Sequence, residues 1–211
     1  PSDVNEKDFM KLLSNHKSLK IQLTSQMRVK GDDSNNYISF VDDLLHTRAK
    51  TNIFSPRGYD LYVFDSFKEM HAKLSEKENE YGLCRMIAGY AWEWLSDPKR
   101  KPKPTPDVTD FDFDGLKFKW NSTNIDWVNS ANAFNEIGCI HTTQGYDLNY
   151  AGIIFGSEID YDPLLNKIVI DPKKYFDKYG KIGANEDELK KYIINVYKTI
   201  MYRGIRGTYI Y

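Results

Sequence analysis

Apolar positions along the chain follow two spacings, one typical of helices and one typical of strands. Helical spacing, with an apolar residue every third or fourth position, predicts amphipathic helices at residues 6–15, 36–47, 66–74 and 185–200. Two of these segments also begin with a capping signal, because Ser66 and Asn185 each precede a glutamate by three positions. The beginnings of these two helices are therefore predicted as well as their lengths.

Shorter apolar or alternating segments predict strands at residues 19–23, 59–64, 83–92, 137–140, 151–155, 167–170 and 209–211. Residues 111–120 alternate in two halves around Asp114-Gly115, which predicts a β-hairpin. Although DFDFDG at 110–115 has the start of a calcium-binding loop, Asn121 stands at the twelfth position, and the hairpin is preferred. Since strands alternate with helices, the predicted fold is α/β, a mostly parallel sheet with helices on both faces.

Composition limits the possible classes of protein. A chain of 211 residues with 41% hydrophobic content can form one α/β domain, with or without an inserted subdomain. The net charge of −1 excludes a nucleic-acid site that works by overall positive charge, so any such site must be local. Cys84 and Cys139 lie in apolar runs, which predicts buried thiols in a reducing compartment.

Targeting signals and the two termini bear on location and completeness. No signal peptide and no apolar run near 18 residues is present, which predicts a cytoplasmic protein with no membrane partner. Because Pro1 is not a methionine and residues 209–211 have the character of a strand, the chain is expected to be a fragment of a longer one.

Three polar clusters follow or precede predicted strands. HTTQGYD at 141–147 follows the strand at 137–140, TSQMR at 24–28 follows the strand at 19–23, and Arg203 and Arg206 precede the last strand. Since ligands of open parallel sheets bind at the carboxyl ends of the strands, we expect the three clusters to line one edge. No GxxxxGK[ST] motif is present, so the chain alone cannot cradle a triphosphate in the P-loop manner.

These clusters resemble motifs of superfamily 1 helicases. IGCIHTTQGYDLNYAGIIFG at 137–156 resembles motif V, MYRGIRG at 201–207 resembles motif VI, and LTSQMR at 23–28 resembles motif IV. Together with CRMIAGYAWEW and the closing RGTYIY, the pattern is similar to helicase-like ATPases related to the Schlafen helicase domain. The resemblance covers residues 19–211.

The resemblance implies that residues 1–211 are the second RecA-like domain of an ATP-driven motor, with a loop and hairpin insertion at 97–122. ATP with Mg²⁺ would be bound mainly by an N-terminal P-loop domain absent from this chain, so the fragment alone would be inactive. Arg28 and Arg203 would act as catalytic arginines at the γ-phosphate. Gly145 would offer its backbone to the same phosphate.

Two further positions complete the implied nucleotide site. Asp147 would stand where the family has a glutamate near the ribose, and Arg206 would be a further nucleotide-binding residue. Asp147 departs from the family pattern by its shorter carboxylate, which reaches less far toward the ribose, and Tyr202 departs from it by replacing the usual threonine. Arg206 also has the alternative of pairing with a nearby carboxylate.

The same resemblance implies a nucleic-acid surface. His141 and Thr142 would face the backbone of single-stranded DNA or RNA, and Gln144 would couple the two sites. In the proline-rich segment 97–107, Lys99, Arg100 and Lys101 either grip phosphates or form a solvated connection.

Two function classes therefore stay open. The first is the motor half described above, which supplies arginines to a P-loop domain. The second is a non-catalytic RecA-like module that binds nucleic acid or protein. Trp92 and Trp94, two apart on one strand face, suit base stacking but suit ordinary core or interface packing better.

Overall fold

A computed structural model of the protein describes residues 6–15, 28–30, 34–48 and 57–211. Its helices of four or more residues are α1 (Glu6–Asn15), α2 (Ser34–Leu45), α3 (Phe67–Tyr81), α4 (Lys178–Lys181) and α5 (Glu186–Met201). Its strands are β1 (Asp60–Val63), β2 (Cys84–Ala88), β3 (Phe111–Phe113), β4 (Leu116–Trp120), β5 (Glu136–Gly138), β6 (Leu148–Ile154), β7 (Ile159–Asp162), β8 (Lys167–Ile170) and β9 (Gly204–Ile210). The predicted strand 19–23 and the motif residues 24–27 lie outside the described residues.

Seven of the described strands form one sheet in the order β1-β9-β6-β2-β5-β4-β3. Every neighbouring pair is parallel except β3 and β4. This arrangement confirms the predicted α/β class and agrees with the RecA-like domain implied by the resemblance. The strands of the sheet end on one side and begin on the other, and the proposed sites lie at these strand ends. We name the side where β2, β5 and β6 end the carboxyl edge, and the side where β6 and β9 begin the amino edge.

Helices cover both faces of the sheet, as predicted. On one face α3 buries Phe67, Met70 and Leu74 against the sheet. On the other face α5 and α2 pack together, with Ile193 and Tyr197 of α5 in the same cluster as the strands. Strand β2 is buried on both sides because it lies between these two layers.

Caps and turns follow the sequence signals closely. The Glu69 amide donates to Ser66 Oγ at 3.4 Å and starts α3. At the start of α5 the Asn185 and Glu188 side chains each accept from the other residue's amide at 3.0 Å, a complete capping box. The β3–β4 turn places Asp114 and Gly115 at φ of 54° and 87°, the left-handed pair that a two-residue hairpin requires.

The predicted strand at 167–170 does not join the main sheet. It is β8, and it pairs antiparallel with β7 in a separate two-stranded sheet. Strand β7 was not predicted, because three of its four residues are polar or exposed and only Ile159 is buried. The predicted strand 83–92 also ends early, at Ala88, where Gly89 begins a loop.

Arg85 is the one charged residue in β2, and all three of its side-chain nitrogens donate hydrogen bonds. Nη1 donates to Glu78 Oε1 at 3.0 Å, and Nε and Nη2 donate to the Val128 carbonyl at 2.9 and 2.6 Å. The partner required for a buried charge is therefore the carboxylate of Glu78. In the described segments no helix combines the length and apolarity needed to cross a bilayer.

Candidate functional site

The loop at residues 139–147 crosses the sheet from one edge to the other. It leaves β5 at the carboxyl edge and enters β6 at the amino edge, because both strands run parallel to β2, which lies between them. The clusters were expected at the carboxyl ends of the strands, and this is wrong for Asp147 and Arg203, although one member of each cluster does meet at a single edge, the amino edge. His141 lies just past the carboxyl end of β5, whereas Asp147 and Arg203 lie just before the strands they precede.

Hydrogen bonds within the loop fix its first turn. Thr142 Oγ1 accepts from the Cys139 amide at 3.0 Å and donates to the Cys139 carbonyl at 3.0 Å. Thr143, fully buried, donates to the same carbonyl at 3.2 Å. Thr142 was predicted to face nucleic acid, but its side chain is buried and its hydroxyl serves the loop itself.

The tip of the loop is open to solvent. Gln144 and Gly145 are exposed, and Gly145 has a φ of 86°. A Cβ built on Gly145 would meet no heavy atom within 4 Å, so the space over this backbone is empty. The glycine is therefore required by its left-handed backbone and leaves room for a close approach.

Three charged side chains meet at the amino edge, and we name Arg28, Asp147 and Arg203 the arginine cluster. Arg28 Nε donates to Asp147 Oδ1, and the Arg203 guanidinium interacts electrostatically with both other groups. Arg203 is only 7% exposed, and its Nη1 donates to the Tyr146 carbonyl at 3.4 Å. Both predicted catalytic arginines, from distant parts of the sequence, therefore lie in one site with Asp147.

The Arg203 side chain is a buried cation with spare donor capacity. Its Nε is buried and donates to no acceptor among the described residues. Burial lowers the pKa of the Arg203 guanidinium, as does the positive charge of Arg28, whereas the carboxylate of Asp147 raises it. Since arginine stays protonated in proteins, the environment holds a charge that is incompletely compensated there.

The backbone around Arg203 is tightly held. Its amide donates to the Ile200 carbonyl at 3.1 Å, and its carbonyl accepts from the Leu148 amide at 3.0 Å. A Cβ on the next residue, Gly204, would lie 2.1 Å from the Gly207 carbonyl oxygen. The turn from α5 into β9 therefore needs a glycine directly after Arg203.

Arg206 lies in different surroundings from the arginine cluster. Its Nε donates to Asn149 Oδ1 at 3.2 Å, and its guanidinium lies 4.4 Å from the centre of the Tyr81 ring. Its hydrogen-bond partner is thus the Asn149 side-chain amide, and Tyr81 supplies an aromatic face. The described part of the chain gives Arg206 no ion pair, although its charge helps the Tyr81 hydrogen bond to lower the pKa of the nearby carboxylate of Glu80. None of the described contacts joins Arg206 to Arg28 or Asp147.

At the carboxyl edge lies an open cavity of about 870 Å³, which we name the aromatic cavity. His141, Lys99 and Arg100 all line it, so three of the predicted nucleic-acid residues meet there. Lys101 is exposed but does not line the cavity. Arg100 donates to Glu93 Oε1 at 2.9 Å, a pair that is exposed and contributes little stability.

Sequence reasoning missed most of the residues that form this cavity. Its two walls are the loop after β2 and the segment around α4, joined where the Phe176 amide donates to the Tyr90 carbonyl at 2.7 Å. The available signal was the density of aromatic residues at 90–94 and 175–179. The predicted strand 83–92 covered only part of the first segment, and nothing in the sequence indicated that the two segments face each other.

Glu158 is a buried carboxyl near the same edge. It has no exposed surface, its Oε1 accepts from the Tyr197 hydroxyl at 2.7 Å, and its Oε2 has no partner among the described residues. A Cβ on Gly89 or Gly156 would collide with it, so both glycines make room for this side chain. Burial raises the pKa of Glu158 above its usual value, although the hydrogen bond from Tyr197 opposes the shift.

This shift predicts a pH-dependent stability. Because the folded state holds the Glu158 proton more tightly, the protein should lose stability as pH rises above about 4.3, the value for an unfolded glutamate. Glu158→Gln removes that titration, so the variant should gain stability relative to wild type as pH rises from 4 toward 8. Urea unfolding at several pH values measures the difference. A difference that stays constant with pH would show that Glu158 does not titrate in this way.

The chain was compared with known proteins. The family model described as "Schlafen group 3, DNA/RNA helicase domain" matches residues 3–211. The uncharacterized protein YPL245W of Saccharomyces cerevisiae is 31% identical over 164 residues, which cover 74% of this chain and 35% of that protein. The chain thus spans about a third of the length of this relative. No solved structure matches.

Proposed function

The chain belongs to the family of Schlafen group 3 DNA/RNA helicase domains, and on this basis we propose that it is the second motor domain of an ATP-dependent helicase or translocase. In this proposal a P-loop domain elsewhere in the full-length protein binds ATP with Mg²⁺, and this domain completes the site. A cytoplasmic location accompanies the proposal, since both cysteines are free and buried.

The observation that carries the proposal is the state of Arg203. A guanidinium that is 7% exposed, with a second guanidinium nearby and an Nε that has no acceptor among the described residues, is arranged to receive an anion. A phosphate oxygen would supply both the missing acceptor and the missing negative charge. An arginine presented in this way stabilises the charge that develops during phosphoryl transfer.

The residues present fit a nucleotide phosphate. Arg203 would donate to it, the open backbone at Gly145 would allow close approach, and Arg28 would add charge after exchanging its bond to Asp147. Bound ATP with Mg²⁺ would supply the phosphoryl group whose transfer drives movement. Since no group of three His, Cys, Asp or Glu side chains among the described residues could hold a metal ion, the P-loop domain would have to supply those ligands.

Single-stranded DNA or RNA is the proposed second ligand, at the carboxyl edge. His141, Lys99 and Arg100 line the aromatic cavity there, at the other end of the loop that carries Gly145 and Asp147. The loop 139–147 therefore connects the two proposed sites through nine residues of backbone. Gln144, exposed at its tip, keeps its predicted role as a coupling residue within this proposal.

One observation favours the second candidate, a non-catalytic module. Asp147 already pairs with Arg28, so part of the arginine cluster is satisfied without any nucleotide. A domain that had lost catalysis would be expected to satisfy its charges internally. Against this, Arg203 keeps a buried donor that finds no partner in the part of the chain that the structure describes.

The direct test is an ATPase assay of the full-length protein and of residues 1–211 alone. We expect the full-length protein to hydrolyse ATP, with stimulation by single-stranded DNA or RNA. Residues 1–211 should show no turnover, because they contain no P-loop motif. A full-length protein that is folded but hydrolyses no ATP with or without nucleic acid would favour the non-catalytic module instead.

A further inference from the structure

The aromatic cavity is built largely from ring faces. Trp94 lies 6.5 Å from Trp120 between ring centres, and Tyr90 lies 6.2 Å from both Trp120 and His141. Phe176 and Tyr179 stand on the opposite wall and are 43% and 74% exposed. Rings that are left uncovered beside a cavity of this size can accept a flat ligand by stacking.

Two consecutive residues of the lining also carry buried polar atoms without partners. Trp120 Nε1, a donor, and Asn121 Oδ1, an acceptor, make no hydrogen bond among the described residues. The side chains are 3% and 1% exposed. The Asn121 amide group is fixed, because its Nδ2 donates to Thr123 O at 3.2 Å and Asn124 Oδ1 at 3.1 Å. These two atoms are closed off from solvent, so a ligand edge with a donor and an acceptor would satisfy them only after the lining moves.

The rim of the cavity carries both signs of charge. Basic and acidic side chains are equally many there: Lys99, Arg100 and Lys178 against Glu93, Asp97 and Asp177. Glu93 pairs with Arg100, whereas the Lys99 and Lys178 ammonium groups form no ion pair in the described part of the chain. These two ammonium groups are therefore the cations at the rim that can bind an anionic group attached to the ligand.

We propose that the aromatic cavity takes one unstacked base of single-stranded nucleic acid, with the adjoining phosphates at Lys99 and Lys178. The base stacks on Trp94, and its edge, which carries hydrogen-bond donors and acceptors, meets Asn121 and Trp120. This inference rests on the proposed nucleic-acid function and adds how the strand is held.

The experiment measures binding of labelled 20-nucleotide single strands, both DNA and RNA, to the full-length protein by fluorescence anisotropy. Trp94→Ala should weaken binding by about 5- to 150-fold, the range for loss of one base–aromatic stack. Trp94→Phe should recover most of this loss because it keeps a ring. Tyr161→Ala, which removes a 48% exposed ring at β7 far from this lining, should bind like wild type.

Salt dependence separates stacking from charge. Trp94→Ala should leave the slope of log Kd against log salt unchanged, whereas Lys99→Ala should reduce it by about one phosphate contact. With wild-type protein, replacing single nucleotides by abasic sites should weaken binding at one position of the strand. This measurement needs no variant, so it holds even if Trp94→Ala fails to fold.

The outcomes distinguish this inference from the proposed function. If neither Trp94→Ala nor any abasic site weakens binding, the proposed role of the aromatic cavity is wrong, and the motor assignment is unaffected. Base-dependent binding by a protein that hydrolyses no ATP would support the cavity and overturn the motor. No binding to either DNA or RNA at low salt would overturn the cavity together with the nucleic-acid part of the proposed function.

Discussion

Arg203→Ala in the full-length protein is expected to lower kcat for ATP hydrolysis about a thousandfold or more, the effect typical of an arginine finger. The guanidinium lies in a turn held by two backbone hydrogen bonds, and its Nε has no acceptor within the described ranges, so it can act on a transition state without reorganisation. Affinity for ATP should change much less, because the charge is needed most during transfer. Steady-state turnover with saturating single-stranded nucleic acid, alongside a nucleotide-binding titration, measures both.

Arg206→Ala is the matched control for this prediction. It removes the same kind of side chain three residues away, but one that contacts Tyr81 and Asn149 instead of the arginine cluster. Its effect on kcat should be far smaller. If Arg203→Ala retains near-normal turnover while a thermal melt shows a folded protein, the assignment of this turn to the nucleotide is wrong.

Asp147 sets the charge balance of the same cluster. In this structure it pairs with Arg28, which makes Arg28 available to an anion only when that bond is exchanged. Arg203 needs no such exchange, because its Nε is already without an acceptor in the described residues. The two arginines are therefore unequal, and Arg203 is the one expected to dominate catalysis.

The parts of the fold that could be predicted from sequence are those governed by local patterns. Helix α5 has a stripe of apolar residues and a complete capping box, and the β3–β4 turn has the Asp-Gly pair its backbone requires. The β7–β8 pair could not be predicted in the same way, because an exposed two-stranded sheet has little hydrophobic pattern.

The candidate site was predictable in its residues but not in its geometry. Motif similarity identified Arg28, Asp147 and Arg203, and the structure places them together. Motif similarity could not indicate that the loop 139–147 crosses the sheet, because the crossing depends on the strand order, in which β2 lies between β5 and β6. Contacts of this kind are set by topology, whereas spacing along the chain records only local structure.

Trp127→Ala should destabilise the protein by about 3–5 kcal/mol, the usual cost of removing a large buried aromatic side chain. Trp127 is fully buried, its Nε1 donates to Glu136 Oε2 at 2.8 Å, and its ring fills the space where Gly138 lacks a Cβ. It therefore supports β5 and the start of the loop 139–147. Denaturant unfolding measures the loss of stability.

Two variants serve as controls. Ile125→Ala, at a site 84% exposed, should stay within about 0.5 kcal/mol of the wild-type stability. The stability of Trp127→Phe should lie between those of Trp127→Ala and Ile125→Ala, since it keeps a ring but leaves Glu136 without this donor. A Trp127→Ala variant as stable as wild type would mean that the loop is held without this contact.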